Sequence, residues 1–206
     1  MKIAVVDSGI HPGHKHVGEV AGGIGVTEGG FTPDFVDRLG HGTAVAGAIR
    51  EKAPDAALYA VKIFDRRLSA GIDTIARALA WCIEHEMDLI NLSLGTSNPA
   101  HRERFERVLA PGPTVISVAN LLPGTLPGVI AVLPEDCPRD MFLYRDGVFY
   151  ASPQPRPIPG VPPERNLQGQ SFAVANMTGF AAQALTTVSP AALRDELIRR
   201  AQARSR

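Results

Sequence analysis

Ser171 stands in the run Gly-Gln-Ser-Phe-Ala-Val-Ala at residues 169–175. A serine hydroxyl is a weak nucleophile at neutral pH. It becomes useful when a base takes its proton and a third group fixes the tautomer of that base. His41, in Gly-His-Gly-Thr, and Asp7, in Val-Val-Asp-Ser-Gly, are the residue types those two roles require. A carbonyl attacked by such a serine also needs donors for its developing oxyanion, and the side-chain amide of Asn120 is a candidate. Taken singly, each residue has a plainer reading. Ser171 could cap a helix, and Asp7 could form a turn with Ser8 and Gly9. His41 could be a capping histidine and Asn120 a loop asparagine. Placement has to decide between the two sets.

Reactive side chains need rigid elements beneath them, and strands alternate with helices along this chain. Residues 2–6 (KIAVV) are a β-branched run, read as a buried strand ending at Asp7. Residues 41–50 follow a glycine and are rich in alanine, so His41 opens a helix. Residues 56–64 (AALYAVKIF) read as a strand, and Ile72, Ile75, Ala76, Leu79 and Ile83 then recur at the helical period. Residues 87–95 (MDLINLSLG) read as a strand closed by Ser93, Leu94 and Gly95. Asn98-Pro99 caps a polar helix to about residue 109. Residues 114–120 and 128–133 are further buried strands. Residues 171–187 form a helix with small residues all round, hence central, and Ser189-Pro190 opens a basic last helix.

Continuous apolar strands alternating with helices predict an α/β fold of three layers, α/β/α. Its mostly parallel sheet is covered on both faces, and the whole of residues 1–206 forms one domain. In such sheets functional groups collect at the carboxyl ends of the strands. Asp7, Ser93 to Gly95 and Asn120 fall there. His41 and Ser171 fall at helix N-termini, where free N–H groups and the helix dipole support negative charge. Residues 134–168 are rich in proline, with one strand at GVFYA; the remainder reads as a surface loop, a lid over the site or an interface.

Composition narrows the partners. The 206 residues carry 21 basic and 21 acidic side chains, so formal charge is zero and there is no electrostatic case for nucleic acid or an anionic membrane. No apolar run is long enough to span a bilayer, and the N-terminus lacks a secretory apolar region, which predicts a soluble, cytoplasmic protein. Cys82 and Cys137 are too few for a disulfide framework, and Cys82 reads as a reduced buried thiol. His11, His14 and His16 depart from zinc spacing and lack an acidic or cysteine partner nearby, so they read as a solvated loop. No metal and no cofactor are expected. The oligomeric state is left open.

The blocks VVDSGI, GHGTAVAGAI and GQSFAVANMTG resemble the three catalytic blocks of the subtilisin-like serine peptidases, the subtilases. LYAVKIF, DLINLSLG, VISVAN and PGVIAV match further family segments in order, so the resemblance covers residues 2 to about 182. It implies a subtilisin-like fold and endopeptidase activity on a peptide or protein substrate. It implies that Asp7 orients His41, His41 is general base and acid, Ser171 is the nucleophile and Asn120 donates to the oxyanion. It also implies that Ser93, Leu94 and Gly95 pair with an extended substrate as an added strand.

The chain departs from the family pattern in several places. Gln170 replaces the usual threonine before the nucleophile, and Phe172 to Asn176 replace a run that normally holds a Pro-His pair. Ala119 stands where glycine is usual, and the loop after Asn120 is cut to LLPGTLPG. AIREKAPDAALYA leaves no room for the family's calcium loop, so no calcium is expected there. The sequence starts at the strand carrying Asp7, which leads to the expectation that no inhibitory pro-segment is used. These departures suggest a specialised intracellular role such as peptide maturation. They also motivate two rivals: a degenerate relative that binds a peptide or protein without cutting it, and an esterase or acyl transferase acting on a small molecule through the same triad.

Overall fold

The computed structural model describes residues 1–110 and 112–203. Strand β1 (Lys2–Asp7) sets the plan. Its side chains alternate between two cores, Ile3 and Val5 on one face and Ala4 and Val6 on the other. Successive residues of a strand point to opposite faces, so an unbroken apolar run is satisfied only when both faces are covered. Helices α1 (His41–Lys52), α4 (Gln170–Leu185) and α5 (Leu193–Ala203) cover the first face. Helices α2 (Ile72–Glu84) and α3 (Arg102–Leu109) cover the second, inserting Ile75, Leu79, Cys82 and Phe105. Burial pushes the Cys82 thiol well above its ordinary value, as expected of an inert reduced cysteine.

The remaining strands are β2 (Gly22–Thr27), β3 (Gly30–Thr32), β4 (Ala57–Lys62), β5 (Leu89–Leu92) and β6 (Thr114–Val118), followed by β7 (Ile130–Pro134), β8 (Phe142–Arg145) and β9 (Val148–Ala151). They form one sheet in the order β3-β2-β4-β1-β5-β6-β7-β9-β8. Only β3 and β8, at the two edges, run antiparallel to their neighbours. The fold is the expected three-layer α/β/α arrangement. Register aligns the functional ends: Asp7 pairs with Lys62, Val6 with Leu92, and Leu92 with Ser117. The chain therefore leaves β1, β5 and β6 at one level, carrying Asp7, Ser93 and Asn120 to the same rim.

Several boundaries differ from expectation. Strand β5 stops at Leu92, because Ser93, Leu94 and Gly95 leave the sheet ladder to meet α4 and the loop after β6. Asn98 does cap, its side-chain oxygen accepting from Ala100 N at 3.1 Å, but the first turn is a 3-10 turn and α3 starts only at Arg102. Pro190 likewise opens a 3-10 turn, and the Ser189 side chain makes no capping bond. The proline-rich segment holds two strands rather than one. The tight turn Asp146-Gly147, with both residues at positive φ, joins β8 to β9 as a hairpin.

Helices α1 and α4 carry His41 and Ser171, and a buried polar link fixes their register. Lys52 Nζ donates to Asn176 Oδ1 at 2.7 Å, and Asn176 Nδ2 donates to the carbonyls of Ser152 and Gln154 at 2.9 and 3.0 Å. Asn176 thus occupies the part of α4 where the sequence departs from the family. It ties that helix both to α1 and to the proline-rich segment. Burial lowers the Lys52 ammonium despite neighbouring Glu51, so the link is sensitive to any lost acceptor. Asn176→Ala is expected to cost about 1–3 kcal/mol by stranding buried groups. Urea unfolding would read this directly, and an unchanged midpoint would count against the link.

Candidate active site

Asp7 is 1% exposed at the end of β1. Its Oδ1 accepts from Ser8 N and from His41 Nδ1, each at 2.7 Å. An imidazole that gives its Nδ1 proton to a carboxylate keeps its lone pair on Nε2, so this contact selects the tautomer a base needs. The His41 side chain is only 16% exposed. Burial works against its imidazolium, but the hydrogen bond and charge of Asp7, with the charge of Asp37, outweigh burial and raise its pKa above 6.5.

His41 is the first residue of α1, and Asp37 holds that helix end. Asp37 Oδ1 accepts from Ser8 Oγ, Leu39 N and Gly40 N, each at 2.9 Å. Its Oδ2 accepts from Thr43 N at 2.9 Å and Thr43 Oγ1 at 2.6 Å. Burial opposes the charge on Asp37, yet these donors lower its pKa overall. Ser8 completes the frame by accepting from Gly42 N at 2.9 Å. A Cβ on Gly42 would lie 2.2 Å from the carbonyl oxygen of Gly9, so only glycine lets the helix approach Asp7 this closely. Gly42→Ala is accordingly expected to displace His41 and lower activity by about 100-fold; wild-type rates from that variant would contradict this.

Ser171 is the second residue of α4, and Gly169 is the N-cap, so Ser171 does not cap the helix. Its backbone N–H belongs to the first turn, whose amides the helix itself leaves unpaired. The Ser171 hydroxyl donates to the carbonyl of Ser93 at 3.3 Å, and Ser93 Oγ donates back to the carbonyl of Ser171 at 3.2 Å. Among the described residues no hydrogen bond joins Ser171 to His41. The two are linked through Phe172, whose ring packs against the imidazole with centroids 5.6 Å apart. A change of one staggered χ1 well would turn the hydroxyl from Ser93 to a different acceptor.

Ser93 is itself anchored. Asn91, fully buried in β5, donates to Ser93 Oγ at 2.8 Å and accepts from Thr178 Oγ1 of α4 at 3.0 Å. The Leu94 carbonyl accepts from Ser117 Oγ at 3.3 Å. A Cβ on Gly95 would lie 2.6 Å from Cβ of Leu121, because Thr96 and Leu122 exchange two backbone hydrogen bonds of 3.0 Å just beyond it. Asn120 lies in the turn after β6, exposed, at the rim shared with Ser93.

The expected residues thus converge on one end of the sheet. Asp7 and His41 are in direct contact, Ser171 and Ser93 are in direct contact, and Asn120 follows β6 at the same end of the sheet. Two supports were not anticipated. The Asp37 contacts with Leu39 and Gly40 are local turn bonds that Asp-x-x-Gly can suggest, but its bonds to Ser8 and Thr43 depend on tertiary contact. Asn91 had one visible signal, a polar residue inside the apolar run LINL. Among the described residues no group of three or more His, Cys, Asp or Glu side chains could hold a metal ion. No helix among them is long and apolar enough to cross a membrane.

Comparison with known sequences places this geometry in context. The model of the subtilase family matches residues 1–121. The chain is 39% identical over 107 residues to minor extracellular protease Epr of Bacillus subtilis (strain 168), covering 48% of this chain and 16% of that protein. It is 34% identical over 131 residues to subtilisin of Bacillus pumilus, covering 58% of this chain and 47% of the relative. Subtilisin E of Bacillus subtilis (strain 168) is also 34% identical over 131 residues, with 58% and 34% covered. The chain thus spans less than half the length of these relatives. The family match ends before Ser171, so assignment of that residue rests on its position in the fold.

Proposed function

Because this chain belongs to the subtilase family, we propose that it is a serine endopeptidase working as one domain over residues 1–206. The 2.7 Å contact between Asp7 and His41, at the strand ends and beside the helix that carries Ser171, is the observation that supports it most. Ser171 Oγ leaves Ser93 and attacks a peptide carbonyl while His41 Nε2 takes its proton. The Asn120 amide and the Ser171 backbone N–H receive the oxyanion. His41 then protonates the leaving amine, and water attacks the acyl-enzyme by the same route in reverse. Ser93 to Gly95 align an extended substrate, which suits a peptide better than a small ester.

An internally quenched peptide library tests this reading. Internal peptide bonds should be cut by the parent protein, and no product from a folded, concentrated sample would overturn it. Asn120→Ala is expected to lower kcat about 100- to 1,000-fold with little change in KM, since the donor acts mainly on the oxyanion. Equal kcat for parent and variant would remove Asn120 from the mechanism. A second reading, peptide binding without cleavage, draws on the Ser171 hydroxyl resting on Ser93. It requires that the library be bound but left intact.

A further inference from the structure

A concavity opens at the start of α1, next to Gly40. It encloses about 520 Å³ between the loop of residues 11–16, the start of α1 and the segment of residues 155–167. Gly40, which precedes His41, and Leu167, four residues before Ser171, both line it. None of Ser93, Leu94, Gly95 or Asn120 does. It is therefore separate from the edge assigned above to the aligned substrate, and it is bounded by residues close in sequence to His41 and Ser171 rather than by those two themselves.

Its chemistry is one-sided. His11, His14, His16, Arg38, Arg156 and Arg165 line it, against a single acidic residue, Asp37. Asp37 is buried, and its carboxylate already accepts five hydrogen bonds from Ser8, Leu39, Gly40 and Thr43. Arg38 is committed to Asp34 at 2.6 Å. Arg156 uses one nitrogen to hold the carbonyl of His16 at 3.0 Å. Arg165 is exposed and makes no ion pair among the described residues. Two guanidinium groups thus retain unused donors in a wall that also exposes the apolar side chains of Ile158 and Leu167. On a chain of zero net charge, this concentration of cations is local. Burial, then the charge of Arg156, lowers the His16 imidazolium, consistent with a positive potential in this corner.

We propose that this basin binds a carboxylate-bearing segment of the peptide substrate, with Arg156 and Arg165 receiving acidic side chains and Ile158 and Leu167 packing an adjacent apolar residue. The inference rests on the peptidase reading, because it takes a peptide seated along Ser93 to Gly95 and continues it past His41. Arginine forks match carboxylates with paired, charge-assisted hydrogen bonds, and the apolar flank favours a peptide over a bare anion. The role of the basin is specificity; the reacting atoms remain those of His41 and Ser171.

The test uses the full chain bearing Ser171→Ala, so that binding is read without cleavage. Fluorescence anisotropy would compare a labelled peptide of Glu, Asp and Leu residues with its Gln, Asn and Leu counterpart. The acidic peptide is expected to bind about tenfold more tightly at low salt. The difference should shrink as salt is raised. Arg165→Gln should reduce the preference to about twofold or less while the protein unfolds at the parental midpoint, and Arg156→Gln should reduce it likewise with a lower midpoint, because Arg156 also holds the His16 carbonyl. Equal binding of the two peptides would overturn the proposal. So would tighter binding of a single-stranded oligonucleotide of equal charge, which would make the basin a general polyanion site. Labelling of Ser171 by a fluorophosphonate in the parent, whose basin is intact, separates the two readings. Labelling without peptide discrimination sinks the basin alone, whereas discrimination without labelling in the parent sinks the peptidase reading.

Discussion

Replacing Ser171 with alanine is expected to reduce peptide hydrolysis to about 10³- to 10⁴-fold above the uncatalysed rate, whatever the turnover of the parent. Without the hydroxyl no acyl-enzyme can form, and what remains is binding together with the Asn120 and backbone donors. The fold should tolerate the change. The hydroxyl makes one bond, to the Ser93 carbonyl at 3.3 Å, at a position that is only half-buried. Its loss is expected to cost less than about 1 kcal/mol. Activity and stability therefore separate: an inactive variant with a parental unfolding midpoint supports the nucleophile role, and an active one removes it.

Asp7→Asn is expected to lower kcat about 10⁴-fold and to move the pH profile as well. An asparagine can present its amide to His41 and stabilise the wrong tautomer. It also removes the negative charge that, with the Asp7 hydrogen bond, outweighs burial at His41. Catalysis needs neutral His41, so parental activity should rise with pH through a value above the ordinary 6.5. In Asp7→Asn that acid limb should shift to lower pH, because burial then dominates. Stability runs the other way. A histidine whose pKa is raised by folding contributes stability that is complete below its unfolded value and is lost as pH rises through its folded value. The parent should thus gain activity and lose a little stability across the same window. Identical acid limbs in parent and variant would show that Asp7 does not tune His41.

Much of this arrangement was legible in the chain because it follows from local pattern. The run KIAVV had to be buried on both faces, and the structure divides it between two cores. His41 opening a helix followed from the glycine before it and the alanines after it. The β8–β9 hairpin was missed, with only GVFYA read as a strand, although Asp146-Gly147 between FLYR and VFYA carries a tight-turn signal. Other features could not be read locally. Asp37 reaching Ser8, and Asn176 reaching Lys52 across 124 positions of sequence, depend on how helices pack against the sheet. The second helix residue at Ser171 hinged on Gly169, whose φ of 141° makes it the cap. The basin at the start of α1 draws cations from three separated segments, and no stretch of sequence displays that sum.

The most direct measurement is the intact mass of the parent and of Ser171→Ala after incubation with a fluorophosphonate, with the modified residue located by fragmentation. One adduct on the parent, at Ser171, and none on the variant is the predicted result: it requires an activated serine beside a working base. A folded parent that takes no adduct, or takes it at another residue, would contradict the assignment of Asp7, His41 and Ser171 as one reacting unit.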